Sequence, residues 1–537
     1  ERRIQNHELS RNKYNSSIAN QRYDALVIGS GVSGLCTAAL LSKIGRKVLL
    51  IEKHHIIGGY THMFKRKGYE WDVGIHYIGE VHRGDSTGRR IFDLITDGNL
   101  KWAGMGNPYD RIVFPDQSYD FCAPKEVFVD GMVKEFPEDE GAIQQYMNLL
   151  GQVSKAKRKF FVNKALPPLY RKITYPLVAK QFLKLSSRTT RDVISELSGN
   201  ERLLGVLAGQ WGDLGLPPGS SSFVMQAMVA RHYLDGGNYP VGGAKSIAAA
   251  VVPVIEGNGG TAVFNAGVDE ILIRHGRAFG VRLENGDEIE ADLVVSSAGV
   301  VNTFGRFLRN HQEKLGIQTK LTQVRPSSGH FCLHIGVKES AQSLGLEKTN
   351  LWVYPGYNHD ENVDNFLNNQ DNDFPVVFIS FPSAKDPSWE TNHPGTATIE
   401  AITMASYNWF DKWKNFPWKR RGQEYEDYKE NVSSRLLEVI YQHVPSIRGK
   451  VDYYELSTPL STRDMANYST GELYGIDHTP SRFQLRWLRP DTPIRKLFLT
   501  GQDILTVGVT SSLMSGLLTC SAILKRNLVK DMIAGKL

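Results

Sequence analysis

Residues 23–52 read YDALVIGSGVSGLCTAALLSKIGRKVLLIE, and their reading decides the fold. Residues 23–28 are a short apolar run. Gly29-Ser30-Gly31-Val32-Ser33-Gly34 is a G-x-G-x-x-G turn, residues 35–44 are an Ala/Leu-rich helix that Gly45 ends, and residues 47–51 are a second apolar strand. Gly29 permits the tight turn, Gly31 lets a pyrophosphate approach bare backbone, and Gly34 lets the helix pack closely on the sheet. The helix N-terminus offers unpaired N–H groups and partial positive charge to phosphates. Glu52 closes the second strand. A carboxylate there accepts hydrogen bonds from an adenosine ribose and repels a 2′-phosphate, so FAD or NAD fits and NADP does not. A lone glycine motif is a weak signal, but here strand, turn, helix and acid agree.

Around that unit, 537 residues are too many for one simple core, so two or more domains are expected. The net charge of +6 comes without a dense Lys/Arg stripe and interleaved aromatics, which argues against nucleic acid as a partner. Cys36, Cys122, Cys332 and Cys520 are scattered, and no spacing suits a metal or a disulfide framework. Cys36 falls on the apolar face of the dinucleotide helix, as packing. Glu1 is not an initiator Met, which leaves room for a leader or anchor removed ahead of it. Residues 504–524 are uncharged but rich in Gly, Ser and Thr, and read as a buried turn and helix rather than a membrane span.

Along the chain, residues 1–22 are expected to form a flexible arm. After Glu52-Lys53, the Gly58-Gly59 pair again brings backbone close to a cofactor. Residues 68–79, GYEWDVGIHYIG, alternate glycines and aromatics, and a plain hairpin is the bland reading. Residues 101–140 suit short strands and turns, and residues 141–235 are helical. From Gly151 to Arg191 there is no Asp or Glu, and Lys and Arg alternate with Phe, Leu and Tyr. That composition suits the headgroup region of an anionic bilayer, and equally a solvated basic face over an ordinary core. Tyr239-Pro240-Val241-Gly242-Gly243 opens a helix over 244–257, and short β segments follow to residue 297. Residues 496–500 form a last strand, before Gly501-Gln502-Asp503 and a helix over 511–528. The expected fold is α/β: a discontinuous Rossmann-type cofactor domain (23–100, 262–305 and 490–537) with a mixed α+β substrate domain (101–261 and 306–489).

The N-terminal glycine set, the Tyr-Pro-x-Gly-Gly helix start and Thr500-Gly501-Gln502-Asp503 together resemble the flavin-dependent amine-oxidase-like superfamily, in its carotenoid desaturase and isomerase branch. More narrowly, residues 72–79 (DVGIHYIG), 381–390 (FPSAKDPSWE), 474–478 (YGIDH), 499–504 (LTGQDI) and 520–528 (CSAILKRNL) resemble the retinol saturase family. The matching stretches run from residue 23 to 528 in order; Ser297 stands where that family usually has Asn. The resemblance implies FAD as cofactor, with contacts at Gly29, Ser30, Gly31, Ser33, Gly34, Glu52, Lys53, Gly58, Gly59, Val268, Ala298, Gly501 and Asp503. It also implies NAD(P)H or another reductant as electron donor, and a polyene or isoprenoid lipid as substrate. Peripheral membrane contact is expected through 151–191, on the endoplasmic reticulum membrane in a eukaryote or the cytoplasmic membrane face in a bacterium.

Saturating an unpolarised C=C bond needs a hydride at one carbon and a proton at the other. His76, Tyr77, Tyr474 and His478 lie in motifs expected to face the flavin and are the candidate donors; structural roles in turns are the competing reading for each. Lys385 and Asp386 read as a local turn or ion pair. Two other activities fit the same fold, a carotenoid desaturase or a cis–trans isomerase, and a lipid-escort protein without flavin is a third alternative.

Overall fold

The computed structural model describes residues 12–312 and 316–537. Strands Ala25–Ile28 and Val48–Ile51 are wholly apolar and buried on both faces, the pattern of parallel strands covered by helices. They pair in parallel, Leu26 opposite Leu49, within a five-stranded sheet whose order is 261–263, 48–51, 25–28, 294–296 and 497–499. Three distant parts of the chain therefore build one sheet, as the sequence leads one to expect.

Helix Val32–Lys43 is buried almost all round because two helices flank it. Val509–Leu524 comes so close that a Cβ on Gly516 would lie 2.8 Å from Cys36 Cβ. Lys245–Gly257 packs on the same helix and buries Ile247, Val251, Val252 and Ile255. The latter helix thus belongs to the cofactor layer, although the sequence reading put it in the second domain.

The expected arm over 1–22 divides: residues 1–11 lie outside the described residues, whereas 12–22 are docked. Tyr14 and Ser16 both donate to Asp287 at 2.8 Å, the Tyr14 amide bonds to Phe264, and Ile18 is buried in the short helix Ser16–Asn20. Those anchors, not composition, fix the segment.

The other domain is a seven-stranded mixed sheet in the order 451–457, 329–337, 397–405, 377–380, 350–353, 110–113 and 118–121. Only Asn350–Val353 and Asp110–Val113 run parallel. The expected helical region is present as Glu140–Asn163, Pro168–Ser186, Thr190–Ser195, Glu201–Leu207 and Phe223–Tyr233. Within 101–140, strands are joined by a helix, Lys125–Glu135, that the sequence reading did not anticipate; its valines and internal glycine are poor helix formers, and burial of Phe128 and Met132 outweighs them. Met63–Arg66 and Tyr69–Asp72 form a hairpin, and it leans on the large sheet: Trp71 Nε1 donates to the Ile335 carbonyl at 3.0 Å.

Candidate functional site

The dinucleotide turn has a cradle's geometry. A Cβ on Gly34 would sit 2.0 Å from the Gly29 carbonyl oxygen, whereas one on Gly31 would meet no protein atom within 4 Å. Gly31 is the N-cap of Val32–Lys43 without a side-chain cap, so the first amides of that helix remain for an external anion. A second helix start is also uncapped: Gly508, at φ +104°, precedes Val509–Leu524, and a Cβ there would again meet nothing within 4 Å. The buried Thr510 hydroxyl beside it has no hydrogen-bond partner. Two open amide ends and an orphaned hydroxyl fit a dinucleotide that stretches from one helix to the other.

Several expected cofactor contacts are engaged by the chain itself. Glu52 accepts from the Ser30 amide at 2.9 Å, from its hydroxyl at 2.6 Å and from the His54 amide at 2.8 Å. Ser33 pairs with Ser297 at 2.7 Å, hydroxyl to hydroxyl. Lys53 reaches Glu284 at 2.9 Å, away from the turn. Gly58 donates to the Ser30 hydroxyl, and Gly59 packs on Gly31, where a Cβ would lie 2.8 Å from its Cα. Val268 opens a buried antiparallel strand opposite Leu283, and Ala298 follows the strand tip at Ser296. Gly501 donates to the buried Ser515 hydroxyl. Asp503 accepts from the Val300 amide at 2.8 Å and the Ile476 amide at 3.1 Å. Its carboxylate ties three segments together, at a position where the resemblance implies a cofactor contact.

Between the Gly508 helix start and the large sheet lies a cavity of about 240 Å³. Residues 73–78 form one wall, Trp211–Asp213 with Met225, Met228 and Tyr233 another, and Ile402, Phe378 and Trp352 the floor. The strand register explains that floor. Ile402 pairs with Phe378 and Phe378 with Trp352, so they make one apolar row. The adjacent row on the same face is polar: His334 opposite Glu400, Glu400 opposite Ser380, then Asn350 opposite Asp110. All five are buried.

Lys385 lies over that polar row. Its ammonium donates to the His76 carbonyl at 3.0 Å, to Ser380 Oγ at 2.7 Å and to Asn350. It is not paired with Asp386, whose carboxylate instead caps Ser388 and Gly242. Burial pulls the Lys385 ammonium down to about 7 against the opposing pull of Asp110, Glu400 and Asp72. Burial alone would raise Glu400, but the imidazoles of His76 and His334 outweigh it and hold the carboxyl well below its ordinary range. Asp72 goes the other way, raised by burial and by the Glu400 charge.

The four candidate donors separate. His76 lines the cavity, with Nδ1 2.9 Å from Glu400 Oε2, an ion-pair distance without hydrogen-bond alignment. Tyr77 lines it too, and its hydroxyl lies 2.9 Å from Asp110 and 3.1 Å from Asp213. Tyr474 lines it and donates to the Gly212 carbonyl at 3.1 Å. His478 does not line it: it is fully buried, Nε2 accepts from the Val507 amide at 2.9 Å, and burial with Arg482 nearby keeps it neutral. It props the loop ahead of Gly508, a positioning role in place of the expected chemistry. Sequence reasoning missed Asp213, Asp110, Glu400 and His330, which stand alone in apolar or mixed surroundings with no local pattern.

The first part of the cofactor domain, residues 27–94, matches the NAD(P)-binding Rossmann-like domain family. The chain is 35% identical to the all-trans-retinol 13,14-reductase of Danio rerio, across 94% of this chain and 86% of that protein. The human protein of the same name is 34% identical, across 95% and 87%. The chain belongs to the all-trans-retinol 13,14-reductase family. It is an oxidoreductase, and the non-enzymatic escort reading falls away. Membership leaves the activity to be argued from the site, since an inactive all-trans-retinol 13,14-reductase of Danio rerio is also similar, 31% identical across 97% of this chain and 89% of that one. The fold of this family member is shared with a putrescine oxidase solved with putrescine bound, at a TM-score of 0.60 and 15% identity over 94% of this chain and all of that one.

Proposed function

We propose that the chain saturates one C=C bond of a retinoid- or carotenoid-like polyene, with FAD as the bound cofactor and a nicotinamide cofactor or other reductant as the electron source. One observation carries this reading: an apolar slot bounded on one side by the open helix start at Gly508 and on the other by the Ile402–Phe378–Trp352 row. A bound flavin supplies hydride chemistry there. The chain's own residues do the rest. Trp352, Phe378, Tyr77 and Tyr233 present ring surfaces that hold a flat conjugated chain and exclude water, and aromatic faces stabilise positive charge spread along a polyene on protonation. Asp72, through Tyr239 and the Ala244 amide, fixes residues 73–78 against the start of helix Lys245–Gly257.

The reading extends to the source of so apolar a substrate. Among the described residues no helix is long and apolar enough to cross a membrane. On helix Pro168–Ser186, however, Leu169, Tyr170, Ile173 and Leu177 are 64–80% exposed on one stripe, with Lys172, Lys180 and Lys184 exposed on the same helix. Such a face suits peripheral seating on an anionic bilayer, the endoplasmic reticulum in a eukaryote or the inner face of the cytoplasmic membrane in a bacterium.

The test is anaerobic incubation of the reduced holoenzyme with all-trans-retinol or a carotenoid. A product two mass units heavier supports the proposal. A product two units lighter, or of unchanged mass with an altered spectrum, replaces it with desaturation or isomerisation.

A further inference from the structure

A hydride acceptor that carries no carbonyl needs a proton source at the second carbon, and the cavity wall holds one acid arranged for that task. Asp213 lines the cavity and keeps part of its side chain open to it. Behind it, the single Tyr77 hydroxyl lies between two carboxyl groups, 3.1 Å from Asp213 and 2.9 Å from Asp110. One hydroxyl donates one proton, and two carboxylates that share it repel each other when both are charged. The pair therefore retains an extra proton. Its location follows from the partners. Asp110 also accepts from Gln210 at 2.7 Å and Asn350 at 2.9 Å, donors that favour its ionised form. Asp213 has no such amide donors, so the proton resides on the cavity side. Burial and the Asp110 charge push the Asp213 carboxyl up to about 7, with the Tyr77 and Tyr233 hydroxyls acting in the opposite sense.

Other cavity groups are less suited. Tyr474 gives its proton to the Gly212 carbonyl. Glu80 faces the Arg231 guanidinium at 3.9 Å. His330 and His232 are held neutral by burial, at about 4 and about 3. His76 faces the Glu400 carboxylate.

We propose that Asp213 is the proton donor to the polyene, with the Tyr77 hydroxyl orienting its carboxyl group and the Asp110 carboxylate keeping it protonated between turnovers. The inference rests on the reductase reading above. In the step, the π pair of the C=C bond takes the Asp213 proton to form one C–H bond, and a hydride from the reduced flavin forms the other. The alkene is reduced by two electrons, the flavin is oxidised by two, and the Asp213 carboxylate regains a proton from solvent water through the cavity.

The experiment uses the flavin-loaded full chain, reduced anaerobically with dithionite and mixed with all-trans-retinol while flavin reoxidation is followed. Asp213→Asn is expected to slow reoxidation about 100-fold or more, with flavin content, dithionite reduction and retinol binding unchanged. The wild-type rate should fall as pH rises through about 7. Tyr77→Phe removes a bond to the ionised form and should move that fall to higher pH. Infrared difference spectra should show a protonated-carboxyl band in the wild type that Asp213→Asn lacks. A wild type that reoxidises with retinol, beside an Asp213→Asn variant with the same rate and pH profile or an undiminished carboxyl band, overturns the assignment to Asp213 alone. A wild type that never reoxidises with any polyene overturns the reductase reading itself.

Discussion

The dinucleotide turn and the polar row across the large sheet are built on opposite principles. At the turn, function lies in what is missing: side chains are absent from Gly29, Gly31 and Gly34, and backbone amides face outward. In the sheet, polar groups have been forced inside: His334, Glu400, Ser380, Asn350 and Asp110, one from each of five strands, are buried together with Lys385. At Gly34 the first arrangement leaves no room for an added atom. The second tolerates no lost partner, because an abandoned charge in a buried site costs more than the pair contributes.

Two glycines three residues apart give the largest expected contrast. Gly34→Ala places a Cβ 2.0 Å from backbone oxygen and should destabilise the chain by about 3 kcal/mol or more, read as a large fall in Tm or loss of soluble protein. Gly31→Ala meets no protein atom, so its unfolding free energy should stay within about 0.5 kcal/mol of wild type while bound flavin absorbance is lost. Equal Tm losses in both variants would break the distinction between fold glycine and cofactor glycine.

Lys385→Met tests the other region. It orphans the Asn350 carbonyl, the Ser380 hydroxyl and the His76 carbonyl, and removes the cation that offsets Asp110 and Glu400. A loss on the order of 3 kcal/mol in denaturant unfolding is expected. A near-neutral result would mean that the row does not depend on its cation.

A smaller effect comes from pH. Burial lowers His330 and His359 to about 4, below the value of about 6.5 in an unfolded chain. The unfolded state then binds more protons between those limits, so stability rises with pH from about 4 to about 6.5 and these two groups add no slope above that window. His359→Gln should flatten the rise in urea midpoints measured at pH 5 and pH 7.5. The smallest effect on the fold is expected at the exposed stripe: Ile173→Glu with Leu177→Glu should leave the unfolding free energy within about 0.5 kcal/mol of wild type while cosedimentation with anionic vesicles falls at least about tenfold. Unchanged vesicle binding would remove that helix as the contact.

The same contrast explains how much the sequence discloses. The turn is local: strand, glycines, helix and acid follow one another within thirty residues, and each obeys a known spacing rule. The five-stranded sheet is equally legible because three of its strands, 25–28, 294–296 and 497–499, are short apolar runs followed by small residues. The polar row is not local. Its members come from residues 110, 334, 350, 380 and 400, one to a strand, and each alone reads as an edge or turn residue. Only the register between strands puts them side by side. Lys385 was misread for that reason: its neighbour in sequence, Asp386, is not its neighbour in space. His478 was misread the other way, since a motif that borders a pocket also supplies the struts behind its wall.

Strand Leu497–Leu499 borders Val294–Ser296, and helix Val509–Leu524 follows it to cover Val32–Lys43 and complete the cavity from Gly508. The nucleotide motif thus leaves the ribosome well before the wall that closes over it. A polypeptide interrupted ahead of residue 509 would carry the glycine-rich opening but lack the helix that packs against it.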